Sequence, residues 1–406
     1  MGEKRISFVT TAINDGGAEN QLISLATRLK ARGWETNIIS MLPPRAYRDE
    51  LAAMNIPVDS LGMRRGVADP RAVFRLVTLL RRFRPHVVHS HMVHANLLAR
   101  LARPLRWVPV VISTAHNIDE GPDKRSRRQL RRVFAPVAAR DTAGSNWRER
   151  AYRLTDPLCD LTTNVSEAAV ERYIQVGAVP RRKIRFVPNG VDTDRFKPDS
   201  TARLRMRQAL GIDGRFVWLA VGRFEEAKDH RTLIGAFVTL TQAYPAALLL
   251  LVGQGSLEAA TKTQVAKLGL TDKVRFLGVR RDIPDLMNAA DAYVMSSAWE
   301  GLPMVLLEAS AVGLPIVTTD AGGNCEVVAD GTTGFVVPTR DPVALGRAMA
   351  QVLALPEDGR ADIGRSGRMM VQGRYSLDQV VDRWEALYRE FLERTRVSRV
   401  GGQQSR

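Results

Sequence analysis

Two glutamates, Glu300 and Glu308, bracket an otherwise apolar stretch in WEGLPMVLLEAS, residues 299–310. A strand pattern at Ala292–Ser296 precedes them, so we expect Glu300 in the loop just past the carboxyl end of that strand. Pro303 suits the first turn of a helix, and a helix start offers free amides and a positive dipole end to an anion. The pattern predicts an anion site flanked by two carboxylates, which can accept hydrogen bonds from hydroxyl groups. A nucleotide sugar has this layout, with a diphosphate between two sets of hydroxyls. The alternative is that Glu300 caps the helix and Glu308 pairs with a basic neighbour.

A second candidate is the loop GRFEEAKD, residues 222–229, which follows the strand pattern Phe216–Val221. Gly222 allows a tight turn, and Arg223 and Lys228 then bracket the loop. Two cations at the carboxyl end of a strand suit a diphosphate, because arginine binds it as a planar fork and lysine as a point charge. Arg and Lys are also common in ordinary loops, so this loop alone leaves both interpretations open.

A third candidate is the glycine pair Gly16 and Gly17, in NDGGAEN after the first strand pattern. Glycines before a helix let a phosphate approach the backbone closely. The pair lacks the three spaced glycines of a dinucleotide-binding fingerprint. VGQGSLEA, residues 252–259, also falls short, because Glu258 stands where the third glycine belongs.

Two further patterns suggest a metal but predict none. Four histidines lie in HVVHSHMVH, residues 86–94, yet no Cys, Asp or Glu stands beside them, and closed zinc sites seldom come from one strand. Asp192 and Asp194 form a D-x-D sequence, but it lies in a predicted linker, where we expect a structural role. The sequence therefore predicts no metal site.

The elements that position these residues are short β-branched runs alternating with amphipathic stretches, which is typical of parallel βαβ units. The first half predicts strands at Ile6–Thr11, Thr36–Ser40, Val87–His91, Val110–Thr114, Thr142–Ser145 and Leu161–Val165. The second half predicts strands at Phe216–Val221, Ala247–Val252, Val274–Leu277, Ala292–Ser296, Ile316–Thr318 and Gly334–Val337. We expect an α/β protein of two doubly wound Rossmann-like domains facing each other across a cleft, with ligands at the carboxyl ends of the strands.

The domain boundary is predicted at VPNGVDTDRFKPDS, which is rich in Pro, Asp and Gly. We expect the first domain at 1–190, a linker at 191–200 and the second domain at 201–374. A last amphipathic helix at 375–395 is expected to cross back to the first domain, because its apolar face must be buried. Residues 396–406 are predicted to form a disordered tail.

The composition is that of a globular protein with a basic excess, 59 Lys and Arg against 43 Asp and Glu. The longest apolar run, Ala246–Val252, is far shorter than the roughly 20 residues of a membrane span. The N-terminal MGEKRISFVT has no signal-peptide pattern, so a cytoplasmic location is expected.

Basic residues concentrate between Arg81 and Arg150 and include KRSRRQLRR at 124–132. This segment predicts an anionic partner, and a solvated helix face is the alternative. No aromatic residues are interleaved with the basic run, which argues against nucleic acid as the partner.

Together these segments resemble the retaining group 1 glycosyltransferases, glycosyltransferase family 4, which have the GT-B fold. Glu300 and Glu308, with seven residues between them, match the paired-glutamate motif of that family. GRFEEAKD and PNGVDTDRF resemble its phosphate-binding loop and its interdomain linker. HVVHSH, VSEAAVERY, VRFLG and AGGNCEVVADGTTGFVVP stand in the order that the family shows.

The resemblance implies a role for each matching residue. Arg223 and Lys228 would hold the donor diphosphate, Glu308 the ribose hydroxyls and Glu300 the hydroxyls of the transferred sugar. His116, in STAHN, occupies the position of the family's histidine near the sugar, although Asn117 stands where the family often has Asp. The remaining donor contacts are implied for Gly16, Gly17, Gly301, Leu302, Pro303 and Met304.

The implied activity is a retaining, metal-independent, hexosyltransferase-like reaction in which a UDP- or GDP-linked sugar is the donor substrate and no cofactor is needed. The implied acceptor is a glycan or lipid-linked hydroxyl in cell-surface polysaccharide synthesis, at the inner face of the membrane. On this assignment, Glu308→Gln should weaken nucleotide binding by around tenfold, whereas Glu300→Gln should leave it nearly unchanged. A nucleotide-sugar epimerase or hydrolase on the same fold, and a non-catalytic basic binding protein, stay open as alternatives.

Overall fold

The computed structural model describes residues 4–14, 16–106, 108–116 and 147–403. The chain forms two compact units. Unit 1 comprises Met1–Asn189 and Asp378–Arg406, and unit 2 comprises Gly190–Leu377. Each unit contains a parallel sheet with helices between its strands, so the predicted α/β class is confirmed. None of the described helices is both long enough and apolar enough to cross a lipid bilayer.

In the described part of unit 1, seven parallel strands form one sheet. They are β1 (Lys4–Thr10), β2 (Trp34–Ser40), β3 (Val58–Ser60), β4 (Val87–His91), β5 (Val110–Ala115), β6 (Leu161–Asn164) and β7 (Ile184–Phe186). Their order is β3-β2-β1-β4-β5-β6-β7, so the direction of winding reverses between β1 and β4. Ligands of doubly wound sheets bind beyond the carboxyl ends of the strands at such a reversal.

The helices of unit 1 cover a sheet whose central strand β4 is buried along its whole length. Those before the second unit are α1 (Gly17–Ala31), α2 (Arg48–Ala53), α3 (Ala72–Phe83), α4 (Val93–Ala102), α5 (Trp147–Thr155) and α6 (Glu167–Gln175). Helix α6 has a side-chain cap, because Ser166 Oγ accepts a hydrogen bond from Ala169 N at its start.

Unit 2 contains a sheet of six parallel strands, all within the described residues. They are β8 (Val217–Val221), β9 (Leu248–Val252), β10 (Val274–Phe276), β11 (Ala292–Met295), β12 (Ile316–Thr319) and β13 (Gly334–Val337). The order is β10-β9-β8-β11-β12-β13, which reverses between β8 and β11. All five residues of β9, LLLLV, are buried, because helices cover both faces of a parallel sheet.

The helices of unit 2 are α7 (Ser200–Leu210), α8 (His230–Ala243), α9 (Glu258–Lys267), α10 (Ile283–Ala289), α11 (Met304–Val312), α12 (Asn324–Val327), α13 (Pro342–Ala354) and α14 (Glu357–Arg374). Gly313 is the C-cap of helix α11, and its φ of 85° suits a residue without a β-carbon. Residues 191–200 pack on this unit, since Asn288 Nδ2 donates to Lys197 O and Asn288 Oδ1 accepts from Asp199 N.

The last helix, α15 (Leu377–Gln403), packs on unit 1. Tyr388 Oη lies 2.7 Å from His89 Nδ1 of β4, and the Glu385 carboxylate accepts a hydrogen bond from Trp34 Nε1. Arg185 forms a bidentate ion pair with Glu390, with Nη1–Oε2 and Nη2–Oε1 distances of 2.7 and 2.8 Å. The helix continues to Gln403, whereas the sequence predicted its end at residue 395 and a tail from 396. No glycine or proline interrupts the sequence before Gly401.

The predicted strands that fall within the described residues agree with the observed bounds to within two residues. The prediction omitted β3 and β7, which are three residues long and lie at the two edges of the first sheet. Segments this short give no measurable alternation in the sequence. The strand predicted at Thr142–Ser145 lies outside the described residues.

Candidate active site

The loop after β8 turns tightly against the loop after β9. Gly222 N donates to Val252 O, and Phe224 N donates to Gln254 O. A β-carbon on Gly253, whose φ is 134°, would lie 2.0 Å from Gly222 O, so only glycine fits there. This contact fixes the start of the 222–229 loop at the carboxyl edge of the sheet.

The far end of the same loop, which carries Lys228, is held by β11. Ser296 Oγ donates to Lys228 O at 2.9 Å and is 3.0 Å from Asp229 O, and Ala298 N donates to Ala227 O at 2.8 Å. Asp229 has a φ of 43°, uncommon for a residue with a side chain, and its carboxylate caps α8 by accepting from Thr232 N. The loop that carries the lysine is therefore positioned from both sides.

The Lys228 ammonium contacts a carboxylate in the loop after β11, which lies beside β8 in the sheet. Lys228 Nζ lies 2.5 Å from Glu300 Oε1, and Ser297 Oγ donates to the same oxygen at 2.7 Å. Only 22% of the Lys228 side chain and 13% of the Glu300 side chain are exposed, so solvent screens this ion pair weakly. Two residues predicted from separate motifs are thus in direct contact.

Arg223 is exposed, in contrast to Phe224 beside it, which is 1% exposed and stacks on His230. Burial of Phe224 directs the neighbouring arginine away from the core. Among the described residues, the Arg223 guanidinium has no hydrogen-bonding partner. Its five donors are therefore available for an anion at the edge of the sheet.

Helix α11 begins at Met304, and Pro303 is its N-cap rather than its first residue. Leu306 N donates to Pro303 O, which leaves the amides of Met304 and Val305 without a helical acceptor, and the dipole adds positive charge at this end. Gly301 O accepts from Gly323 N at 2.8 Å, and a β-carbon on Gly323 would lie 2.1 Å from that oxygen. The close approach of these two loops fixes the segment Gly301–Met304 before the helix.

Glu308 lies one turn into α11 and is 7% exposed. Burial raises the pKa of its carboxyl group to about 7, while the positive charge of Arg195 acts in the opposite direction. Burial also raises the pKa of Tyr293 on β11, as do the nearby charges of Glu308 and Glu300. The Glu308 carboxyl group has no hydrogen-bonding partner among the described residues. Ionising it in this buried position is therefore costly, unless hydroxyl groups of a ligand donate hydrogen bonds to it.

The remaining predicted residues belong to unit 1. Gly16 is the N-cap of α1 and Gly17 its first residue, with extended backbone angles at Gly16. His116 follows β5, and its Nε2 lies 3.0 Å from Nδ1 of His91 at the end of β4. Burial lowers the pKa of His116 to about 4, so its imidazole is neutral at physiological pH.

The histidines of HVVHSHMVH have structural partners. His86 Nδ1 accepts a hydrogen bond from Arg5 N, and His89 lies between Tyr388 Oη and Thr114 Oγ1, both at 2.7 Å. Over the described residues, no group of three or more His, Cys, Asp or Glu side chains is arranged to hold a metal ion. Asp192 Oδ1 accepts from the amides of Asp194 and Arg195, a turn-capping role.

The structure brings Arg223, Lys228, Glu300 and the start of α11, including Glu308, to one edge of the sheet in unit 2. Sequence reasoning missed Ser297, which bonds to Glu300. It also missed Gly253 and Gly323, whose close approach to Gly222 and Gly301 brings the loops together. Ser297 directly follows the predicted strand, so a hydroxyl at a strand's carboxyl end was the available signal. Asn117 and the basic run at 124–132 lie outside the described residues.

Comparison with known proteins gives matches over most of the chain. The profile of Glycosyl transferases group 1 matches residues 202–370, and that of Glycosyltransferase Family 4 matches residues 15–195. The chain is 30% identical over 375 residues to "Putative glycosyltransferase EpsD" of Bacillus subtilis, covering 90% of this chain and 91% of that protein.

Two other similarities extend the comparison. A UDP-Gal:alpha-D-GlcNAc-diphosphoundecaprenol alpha-1,3-galactosyltransferase of Escherichia coli is 27% identical over 291 residues, covering 70% of this chain and 71% of that enzyme. Anabaena HepE, solved in complex with UDP and glucose, matches with a TM-score of 0.79 at 21% identity, covering 96% of this chain and 100% of HepE. The predicted GT-B fold is thereby confirmed, and the chain belongs to the group 1 glycosyltransferases of family 4, enzymes that transfer a sugar from a nucleotide donor.

Proposed function

We propose that the protein is a retaining, metal-independent glycosyltransferase whose donor site is the edge of unit 2 formed by Arg223, Lys228, Glu300 and the start of α11. The observation that supports this most strongly is the contact between Lys228 and Glu300, which joins two motifs 72 positions apart. One cation and one carboxylate side by side suit a ligand that carries both phosphate and hydroxyl groups.

Charge neutralisation explains why no divalent metal would be needed. Arg223 and Lys228 supply two positive charges, and the free amides of α11 add a partial positive charge from the helix dipole. A diphosphate leaving group gains negative charge as its bond to the sugar breaks. Donors fixed in advance around that charge stabilise the transition state more than the ground state.

Retention follows if the acceptor attacks the face from which the diphosphate leaves. The C1–oxygen bond breaks with its electron pair moving to the diphosphate, and the acceptor oxygen bonds to C1 on the same face. The acceptor's proton passes to the leaving phosphate, which acts as the base. Glu300 is assigned to the sugar hydroxyls, where it orients the ring rather than attacking it.

Glu308 is assigned to the ribose hydroxyls of the donor. A carboxylate accepts from two neighbouring hydroxyls, and those bonds favour the charged form that burial disfavours. His116 is assigned to the sugar, as a neutral imidazole that exchanges hydrogen bonds with a hydroxyl. The implied contacts of Gly16 and Gly17 with the donor remain predictions from the resemblance.

The acceptor class that we propose is a glycan or lipid-linked hydroxyl at the cytoplasmic face of a membrane. The E. coli relative is named for a diphosphoundecaprenol-linked acceptor, which supports a lipid-linked substrate. Such an acceptor stays in the bilayer, so the enzyme must come to an anionic surface.

Helix α3 offers a surface of the required character. Its exposed residues are Arg71 at its N-cap, Phe74, Arg75, Thr78, Arg81 and Arg82, one stripe along the helix. Phe74 is 62% exposed and Leu105, whose carbonyl accepts from Arg81, is 45% exposed. Arginines beside exposed apolar side chains favour an anionic bilayer, where each basic residue contributes roughly 1 kcal/mol.

The experiment that tests the proposed activity is a screen of UDP- and GDP-linked sugars with a soluble hydroxyl acceptor. Transfer from one donor, with the anomeric configuration retained in the proton NMR spectrum of the product, is the expected result. An epimerised sugar, or hydrolysis that no acceptor diverts, would favour the epimerase or hydrolase alternative. Failure of every nucleotide to bind, together with salt-sensitive binding to nucleic acid, would favour the non-catalytic alternative.

A further inference from the structure

The contact between Lys228 and Glu300 bears on the release of the product. Lys228 Nζ lies 2.5 Å from Glu300 Oε1, and this ammonium is the group assigned above to the diphosphate. A phosphate oxygen bonded to the same ammonium would lie within roughly 6 Å of the carboxylate, given ordinary hydrogen-bond lengths. Two anions would then share one cation in a site that is mostly shielded from solvent.

Donor and product differ in what they offer to Glu300. The donor carries sugar hydroxyls, which donate to the carboxylate and offset its proximity to phosphate. The nucleoside diphosphate left after transfer has no sugar hydroxyls at that position and carries more negative charge. The carboxylate therefore accepts hydrogen bonds from the ligand when the donor is bound and lacks them when the product is bound.

We propose, on the basis of the proposed function, that Glu300 selectively weakens binding of the nucleoside diphosphate product and so speeds its release. Glu300 acts on the product through Lys228, by competing with the diphosphate for the ammonium. This role is additional to its assigned contact with the transferred sugar. It makes Glu300 a residue that discriminates between donor and product.

Ser297 moderates the negative charge of the carboxylate oxygen that contacts Lys228. Its hydroxyl donates to Glu300 Oε1, the oxygen that contacts Lys228, and Ser297 is fully buried. Its backbone oxygen accepts a hydrogen bond from Thr319 Oγ1 at 2.6 Å, which ties it to β12. The hydroxyl also withdraws charge from the carboxylate, so its loss should strengthen the competition for Lys228.

The test is calorimetric titration of UDP and GDP into the wild type, Glu300→Gln, Ser297→Ala and the matched control Glu226→Gln. Glu226 is an exposed carboxylate on the same loop as Lys228. Glu300→Gln is expected to bind the diphosphate on the order of tenfold tighter. Ser297→Ala is expected to bind it more weakly, and Glu226→Gln to stay within about twofold of the wild type.

Opposite shifts separate this role from a structural one, since a distorted site would weaken binding in both variants. UMP and GMP have no second phosphate, so Glu300→Gln should leave their affinities unchanged. Unchanged or weaker diphosphate binding by Glu300→Gln overturns the inference but leaves the donor site in place. If the wild type binds neither UDP nor GDP, the donor site and this inference fail together. If Glu300→Gln does not fold, Ser297→Ala decides the question. Weaker binding of UDP or GDP by this variant, with unchanged affinities for UMP and GMP, supports the inference. Unchanged binding of UDP and GDP by this variant overturns it.

Discussion

Replacing Glu308 with glutamine should stabilise unit 2 at alkaline pH while impairing nucleotide binding. In the folded protein, burial raises the pKa of this carboxyl group from 4.5 to about 7, and Arg195 offsets only part of the effect. Between these two values the folded state holds a proton that the unfolded state has lost. Stability is therefore highest at low pH and declines as pH rises through about 7.

The magnitude follows from the displacement of the pKa. A rise from 4.5 to about 7 corresponds to about 3 kcal/mol at pH 8.5, as an upper limit, because one unit is worth about 1.4 kcal/mol. Glutamine has nearly the same shape and does not ionise, so its own burial has the same effect at every pH. The change in stability between pH 5 and pH 8.5 isolates ionisation of the carboxyl group.

The assay is denaturant unfolding of the wild type and Glu308→Gln at both pH values, without nucleotide. We expect the glutamine variant to gain about 2–3 kcal/mol relative to the wild type on going from pH 5 to pH 8.5. Binding of UDP or GDP should weaken by around tenfold, because a hydrogen bond to a charged group is lost. A stability difference that is the same at both pH values would refute the reasoning, since Glu308 would then have a charge partner that we have not identified.

Three other outcomes are expected. Sugar transfer, measured as product formed per unit time, should continue in excess EDTA. Loss of transfer in EDTA and its return on addition of Mg²⁺ or Mn²⁺ would contradict the role of Arg223 and Lys228 as charge neutralisers. Arg71→Gln combined with Arg82→Gln should weaken partitioning onto anionic vesicles by about thirtyfold in a sedimentation assay, because each arginine contributes roughly 1 kcal/mol. The paired replacement of two exposed arginines in unit 2 should have no such effect, and equal effects would remove α3 as the membrane surface. Tyr388→Phe should lower the free energy of unfolding of unit 1 by about 1 kcal/mol, because His89 loses one of its two hydrogen-bonding partners, and an unchanged unfolding midpoint would contradict that.

Much of the fold was predictable because the parallel strands are apolar and regularly spaced. Strands such as β9 are buried on both faces, so their sequences stand out as uninterrupted apolar runs. The edge strands β3 and β7 were missed, since three residues show no clear period, although β10, an edge strand of the same length, was predicted. The helix α15 extends beyond the predicted bound at residue 395, because a charged sequence such as ERTRVSRV resembles a tail as much as a helix.

The site residues were predicted as separate motifs, and the sequence did not show which side chains touch. The family resemblance assigned Glu300 to the sugar alone, so its removal was expected to leave nucleotide binding nearly unchanged. The ion pair with Lys228 changes that expectation, because on the proposed assignment the carboxylate and the diphosphate would share one ammonium. Such a contact depends on loops brought together by the sheet order, where β8 neighbours β11 although β9 and β10 intervene in sequence.

The most direct test of the central claim is calorimetric titration of UDP and GDP into the wild type, Arg223→Gln and Lys228→Gln. We expect the wild type to bind one of the two nucleotides without added metal, and each variant to bind it at least about tenfold more weakly, because a charge-assisted phosphate contact is lost. Wild-type protein that binds neither nucleotide, or variants that bind as tightly as the wild type, would contradict the assignment of this edge of unit 2 as the donor site.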